Sequence, residues 1–340
     1  MSRLLLIFCL FLCVTACCNG QEETVRIAFY NVENLFDTDD DSLTQDEEYL
    51  PSGIRGWTPT RFWNKAGNIA RVLAVLDFPA LVGMAEVEND ACLSKLTRAS
   101  PLKTAGYAYV HYDSPDPRGI DVALLYNPYL FTPLRHHPIH IEFPDNPDKK
   151  TRDVLYVCGV LFGVDTLHVY VCHFPSRLGG EKATESLRCY VASCIRAHID
   201  SVLAVSPAAK VVVMGDFNDY PDSKSLQLLV NGRKGGAVST AVSGRMVNLM
   251  DSGKVTTVKG TKANGTHKYQ AEWGYLDQVL VSDSLVPLLA SIRVCDNAFL
   301  LQPDKTWFGE KPFRTYNGMV WQGGYSDHLP VVMTIRTKMQ

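Results

Sequence analysis

Long apolar runs are scarce in this 340-residue chain. Residues 4–14 are apolar throughout, but eleven residues are too few to span a bilayer. No Cys-x-x-Cys pair occurs, and the six cysteines beyond residue 18 are scattered, which argues against a zinc site. Positive charge is also short. The formal net charge is -3, so the chain as a whole does not attract polyanions. Any nucleic-acid binding must rest on a local basic face or on metal ions. Internal repeats, low-complexity tracts and an interdomain linker are absent from the sequence. What remains is a globular composition, with 46% hydrophobic and 20% charged residues, enough for a sizeable core.

The N-terminus has the pattern of an export signal. Arg3 supplies the positive start and residues 4–14 the apolar segment. Val14-Thr15-Ala16-Cys17 then has small residues directly before a cysteine, as in a bacterial lipoprotein box. The expectation is a signal over residues 1–16, lipidation of Cys17, a tether over 17–24 and one domain over 25–340. Acyl chains on Cys17 would hold the protein at the cell envelope, on the periplasmic or the surface side, without spanning the membrane. Plain secretion with nearby cleavage is the alternative. Cys158 and Cys172 lie on two apolar runs joined by a turn at 163–165. Export permits a disulfide there, although buried free thiols are the expected state.

Apolar runs read as strands over residues 25–30, 80–85, 107–112, 122–126, 155–162, 167–172, 211–214, 278–281 and 329–335. Thr58-Pro59 opens a helix, with Thr as cap and Pro at the first helical position. A second helix is expected over residues 181–203, with Leu187, Val191, Cys194, Ile195, His198 and Val202 on one face. The acidic stretch 37–48 reads as a solvated loop without EF-hand spacing. Many strands and few helices in uneven alternation point to an α/β fold of two packed sheets with helices outside.

Polar residues recur at the ends of these runs: Asn31, Glu86, His173, Asp216, Asn218, Asp277, Asp327 and His328. One Asp at a strand end is an ordinary turn residue. Eight such residues are harder to explain as turns, and they are the types that bind a hard divalent ion and move protons beside it. The runs Tyr30-Asn31-Val32-Glu33-Asn34, Met84-Ala85-Glu86-Val87, Arg118-Gly119-Ile120-Asp121, Cys172-His173-Phe174, Gly215-Asp216-Phe217-Asn218, Tyr275-Leu276-Asp277-Gln278 and Ser326-Asp327-His328-Leu329-Pro330 follow in order. In this they resemble the endonuclease/exonuclease/phosphatase superfamily, which includes DNase I, the abasic-site endonucleases and the bacterial sphingomyelinases.

The resemblance implies a four-layer α/β/β/α sandwich and magnesium-dependent cleavage of a phosphate ester, with manganese as a substitute ion. It makes Glu86 the principal metal ligand, with Asn31 beside it and Asp327 near the metal or supporting His328. Asp216 and Asn218 position water and phosphate. His328, oriented by Asp277, and His173 form the acid/base pair. Arg118 contacts phosphate. His173 favours DNase I-like nucleases and sphingomyelinases over the abasic endonucleases. Glu272-Trp273-Gly274 stands where inositol-phosphate 5-phosphatases carry a different run. A monomeric nuclease is therefore the first expectation, a sphingomyelinase-like lipid phosphodiesterase or a phosphatase the second, and a non-catalytic surface protein the third. His267 reads as exposed, and His136, His137 and His140 as a local cluster without a carboxylate or Cys at a familiar ligand spacing. Trp307, Tyr316 and Trp321 are candidates for stacking on a base or sugar, or for core packing.

Overall fold

Glu23–Leu35 is the central strand of the first sheet. It runs antiparallel to Val331–Thr337 and parallel to Leu81–Val87. Asp121–Tyr126 and Ala108–His111 extend one side, and Leu289–Val294 and Val255–Thr256 the other. The second sheet has the order Phe131–Ile139, Val154–Leu161, Asp165–His173, Lys210–Asp216, Asp277–Ser282 and Met246–Asn248. This is a computed structural model, and it describes residues 23–162, 165–231, 244–251, 253, 255–257 and 263–337. The export signal, most of the tether and Cys17 lie outside the described residues. Among the described residues no helix is long and apolar enough to cross a membrane.

Side-chain alternation sets the layers. Val169, Val171, Val212, Met214, Val279 and Val281 of the second sheet share one core with Ile27 and Phe29 of the first, and Gly83, the ladder partner of Phe29, faces Met214 across it. The intervening Tyr170, Cys172, Val211, Val213 and Leu280 face the other way, toward Val191, Ile195 and Ile199 of a long helix, Glu181–Val205. Helices Pro59–Val75 and Asp90–Arg98 bury Phe62, Ile69, Leu73, Leu93 and Leu96 in the core of the first sheet. The result is the expected α/β/β/α sandwich.

Local chemistry explains the helix starts. Thr58 Oγ1 accepts from the Arg61 N–H at 3.4 Å with Pro59 in the first turn, and Asn89 Oδ1 accepts from the Cys92 N–H at 2.9 Å. The buried face of Glu181–Val205 is rotated from the apolar stripe, because Arg188 and Arg196 are buried on it. Arg188 pairs with Asp219 at 2.8 Å, and Arg196 reaches the Leu229 and Gly244 carbonyls. His198 sits at the edge, its Nδ1 against the Tyr170 hydroxyl at 2.7 Å. The acidic stretch departs from expectation too: Asp37 and Asp46 are buried. Cys158 and Cys172 are buried free thiols, and Cys158 lies opposite His168 in the ladder.

The same alternation places the polar strand ends. His173, Asp216 and Asp277 have the parity of the residues that face the first sheet. Asp216 is the ladder partner of both His173 and Asp277, so the three stand in one row across adjacent strands. Gly215 makes that row possible, because a Cβ there would strike the carbonyl oxygen and Sγ of Cys172 on the neighbouring strand. Gly215→Ala should therefore lower stability by about 1–3 kcal/mol through overpacking. Urea denaturation checks this, and an unchanged midpoint would show that the two strands have room.

Candidate active site

The row of the second sheet meets the end of the first sheet at Asn31. Asn31 Nδ2 donates to Asp216 Oδ2 at 3.1 Å and to Glu86 Oε1 at 3.4 Å. Glu86 lies just past Ala85, the ladder partner of Asn31. Its φ of 64° takes the backbone out of the extended conformation at that point. Its other oxygen accepts from the Asn34 N–H at 3.0 Å. His173 Nε2 stands 3.9 Å from Glu86 Oε1 and 3.6 Å from Asp216 Oδ2. His328 Nε2 is 3.6 Å from the same Asp216 oxygen, and its Nδ1 is 2.8 Å from Asp277 Oδ2. That contact fixes the tautomer, leaving Nε2 directed at the site. Ser326 holds this end: its hydroxyl donates to the Asn31 carbonyl at 2.8 Å and accepts from the His328 N–H at 3.0 Å.

The two oxygens of Asp216 divide between the turn and the strand-end cluster. Oδ1 accepts from the Asn218 N–H at 2.9 Å, an Asx turn, and Asn218 follows with a φ of 48°. Oδ2 serves the site. Asn218 also spends its amide, with Nδ2 donating to the Phe174 carbonyl at 3.1 Å, so this nitrogen fixes the turn. Arg118 is half exposed, 3.7 Å from Asp116, and close enough to His173 to disfavour its charge. Asp327 takes Arg314 as counter-ion at 2.9 Å. Asp121 is bound to His111 and Ser114.

Electrostatics separate the two histidines. Burial works against charge on His328, but Asp277, Asp216 and Asp327 outweigh it and hold its pKa well above the ordinary value. Burial, with Arg152, Arg118 and His328 nearby, pushes His173 well below it. Burial raises Asp216 to about 7; His328 opposes the shift and Asp277 adds to it. One oxygen of Asp277 and Nδ1 of His173 are buried without a hydrogen-bond partner.

Several functional neighbours carried no signal that the strand-end pattern could catch. Glu33 accepts from the Thr315 N–H at 2.6 Å and from Arg314 at 3.0 Å. Lys65, fully buried, donates to the Thr315 hydroxyl and the Tyr325 carbonyl, and burial lowers its pKa to about 8 against the pull of Glu33 and Asp327. Its spacing with Phe62 and Ile69 was the available clue. Arg177 donates to the Asn218 carbonyl at 2.7 Å and covers the Tyr220 ring at 4.1 Å. His267 is half-buried with its ring 4.8 Å from that of His328, because the turn before it folds back over the site. Burial lowers its pKa to about 4. The other histidines diverge. His136 meets Tyr112, His137 packs on Tyr156, and His140 pairs with Asp153. Tyr316 and Trp321 pack on buried Trp57, whereas Trp307 remains half exposed on another loop.

A hard cation fits this donor set. Glu86 offers its Oε1, whose partner in this structure is the long Asn31 bond; Asn31 turns its amide nitrogen to Glu86 and Asp216 and its Oδ1 to the Glu33 N–H at 3.0 Å. Two clusters of the site, Asp216–Asp277–His328 and His267–Asp327–His328, also bring one potential ligand atom from each residue within 4.8 Å of the others.

Carboxylates, an amide and paired histidines at the strand ends of a two-sheet sandwich are the arrangement expected of a phosphoester hydrolase of the endonuclease/exonuclease/phosphatase class. The chain belongs to the endonuclease/exonuclease/phosphatase family, whose model matches residues 26–337. No curated protein sequence matches it. It is similar in fold to an endonuclease/exonuclease/phosphatase family protein from Bacteroides thetaiotaomicron, with 16% identity, TM-score 0.59, and coverage of 94% of this chain and 97% of the other. A mannosyl-6-phosphatase from Bacteroides thetaiotaomicron aligns with 16% identity, TM-score 0.55, and 92% and 99% coverage. Truncated TDP2 from Caenorhabditis elegans aligns with 16% identity, TM-score 0.53, and 92% and 98% coverage.

His328→Ala and Glu86→Ala should each lower turnover by roughly 10²–10⁴-fold while circular dichroism stays unchanged. Near-normal turnover in either variant would remove that residue from the site.

Proposed function

We propose that this protein is a divalent-metal-dependent phosphodiesterase, with nucleic acid as its first substrate class. The observation that carries the reading is the convergence of two imidazoles, His173 and His328, on one oxygen of Asp216. Diester hydrolysis needs two proton movements: the attacking water loses a proton and the leaving oxygen gains one. Two imidazoles supply both. Glu86 would hold the ion, magnesium or in its place manganese, with Asn31 as a second ligand once its amide turns its oxygen toward Glu86. A divalent ion bound there supplies charge neutralisation to an anionic phosphate. Asp277 keeps His328 in one tautomer, and Asp216 offsets positive charge on the His328 ring. Arg118 and Arg314, on the margins, offer further positive charge to the substrate.

The test is a panel of plasmid DNA, RNA, sphingomyelin, a mannose 6-phosphate ester and a bis-phenyl phosphate, each with magnesium and with chelator. Chelator-sensitive cutting of DNA is the expected outcome. Turnover of the monoester alone would replace the diesterase reading with a phosphatase, release of choline phosphate would make it a lipid phosphodiesterase, and no turnover at all would make it a binding protein.

The envelope location is a further part of the proposal. Acylation of Cys17 would anchor a monomeric catalytic domain at a membrane surface. Globomycin should cause the precursor to accumulate, and mass spectrometry should find lipid on Cys17 of the mature protein. An unmodified mature terminus would exclude the anchor.

A further inference from the structure

Thr266 and His267 belong neither to the strand-end motifs nor to Glu86 and Asn31, the residues proposed to hold the ion. Yet they touch both members of the Asp277–His328 pair. The Thr266 hydroxyl accepts from the Asp277 N–H and the Leu276 N–H, each at 3.2 Å. The Thr266 carbonyl accepts from the Leu329 N–H at 2.7 Å, directly after His328. The His267 ring lies 4.8 Å from the His328 ring with their planes 39° apart, and the two residues form a β-bridge. One dipeptide therefore fixes the backbone at Asp277, the backbone at His328 and the plane of the catalytic ring.

The dipeptide is itself firmly seated. Thr266 is fully buried, and its N–H donates to the Gly274 carbonyl at 2.9 Å. Gly265 stands so close to the Gly274 backbone that a Cβ would lie 2.6 Å from its nitrogen and oxygen. His267–Tyr269 pairs with Glu272–Gly274 as a hairpin. Lys268, between His267 and Tyr269, turns to the opposite face and pairs with Asp304 at 3.0 Å, with both side chains buried. Lys268 also donates to the Phe308 carbonyl at 2.8 Å. A buried, doubly hydrogen-bonded lysine behind His267 keeps the strand from retreating.

We propose that Thr266-His267 is the positioning element of the Asp277–His328 pair, with His267 setting the tilt of His328 by ring contact and Thr266 tying Asp277 to the same turn. The proposal rests on the phosphoesterase reading for its kinetic consequence but not for its structural one. Ring contact, not proton transfer, is the role assigned to His267. A flat uncharged ring should therefore replace it, while a methyl group should not. Misplacing a catalytic ring typically costs 10–100-fold.

His267→Ala should lower kcat by about 10–100-fold at nearly constant KM and with unchanged magnesium affinity, and His267→Phe should recover most of that loss. Thr266→Val should behave like His267→Ala, and Thr266→Ser like the wild type. Proton NMR reads the same geometry without turnover. The downfield His328 imidazole proton shared with Asp277, assigned by its loss in Asp277→Asn, should broaden or vanish in His267→Ala and return in His267→Phe. If His267→Phe is as impaired as His267→Ala in both readouts, or if His267→Ala changes neither, the positioning role is wrong. A wild type without turnover whose downfield proton still follows this pattern would overturn the phosphoesterase reading and leave the positioning role standing.

Discussion

A carboxylate buried as deeply as Asp216 needs partners, and the site is the set of partners it has gathered. Asn31 reaches it from the first sheet, His173 and Asp277 stand beside it in the ladder, His328 faces it, and Asn218 closes the turn behind it. Each neighbour lies on a different strand end or loop. The burial of one charge thus fixes the approach of the two sheets, the row of the second sheet and the placement of the last loop. Where the group is half-satisfied, as at the unpartnered oxygen of Asp277, the remaining negative potential favours a cation or a protonated imidazole.

Much of this was legible in the sequence, for a definable reason. Strand periodicity is exact at two, so an apolar run states which face its terminal residue will take. That is why Asp216, Asp277 and His173 could be placed together without knowledge of the register. Asn31 was legible in the same way, whereas the face of Glu86 was not: Ala85 has the parity of Asn31, and the positive φ at Glu86 breaks the alternation and turns it into the site. The register itself, which makes Asp216 the partner of both neighbours, was not legible, since it depends on pairing between distant strands.

The residues that escaped are those whose burial contradicts their chemistry. Lys65, Arg188 and Arg196 occupy helix faces that composition assigns to apolar side chains, because each finds a carbonyl, hydroxyl or carboxylate inside. Asn218 was read as positioning water and phosphate; that one N–H of its amide holds the Phe174 carbonyl was not readable from its motif. His267 was read as exposed because a turn looks like surface until it is known to fold back over the site. In each case the deciding partner is far away in the chain, and only tertiary structure reveals it.

The first described strand pairs with the last, Glu23 opposite Thr337, and the Asn31–Asp216 bond joins positions 185 apart. Ser326 closes on Asn31 across 295 positions. Contacts of such range are slow to form, since loop closure precedes any reward. The candidate site consequently depends on contacts between parts of the chain that are far apart in sequence. A partly folded chain holds every catalytic residue and no catalytic site, and activity appears only when the two ends of the chain have met.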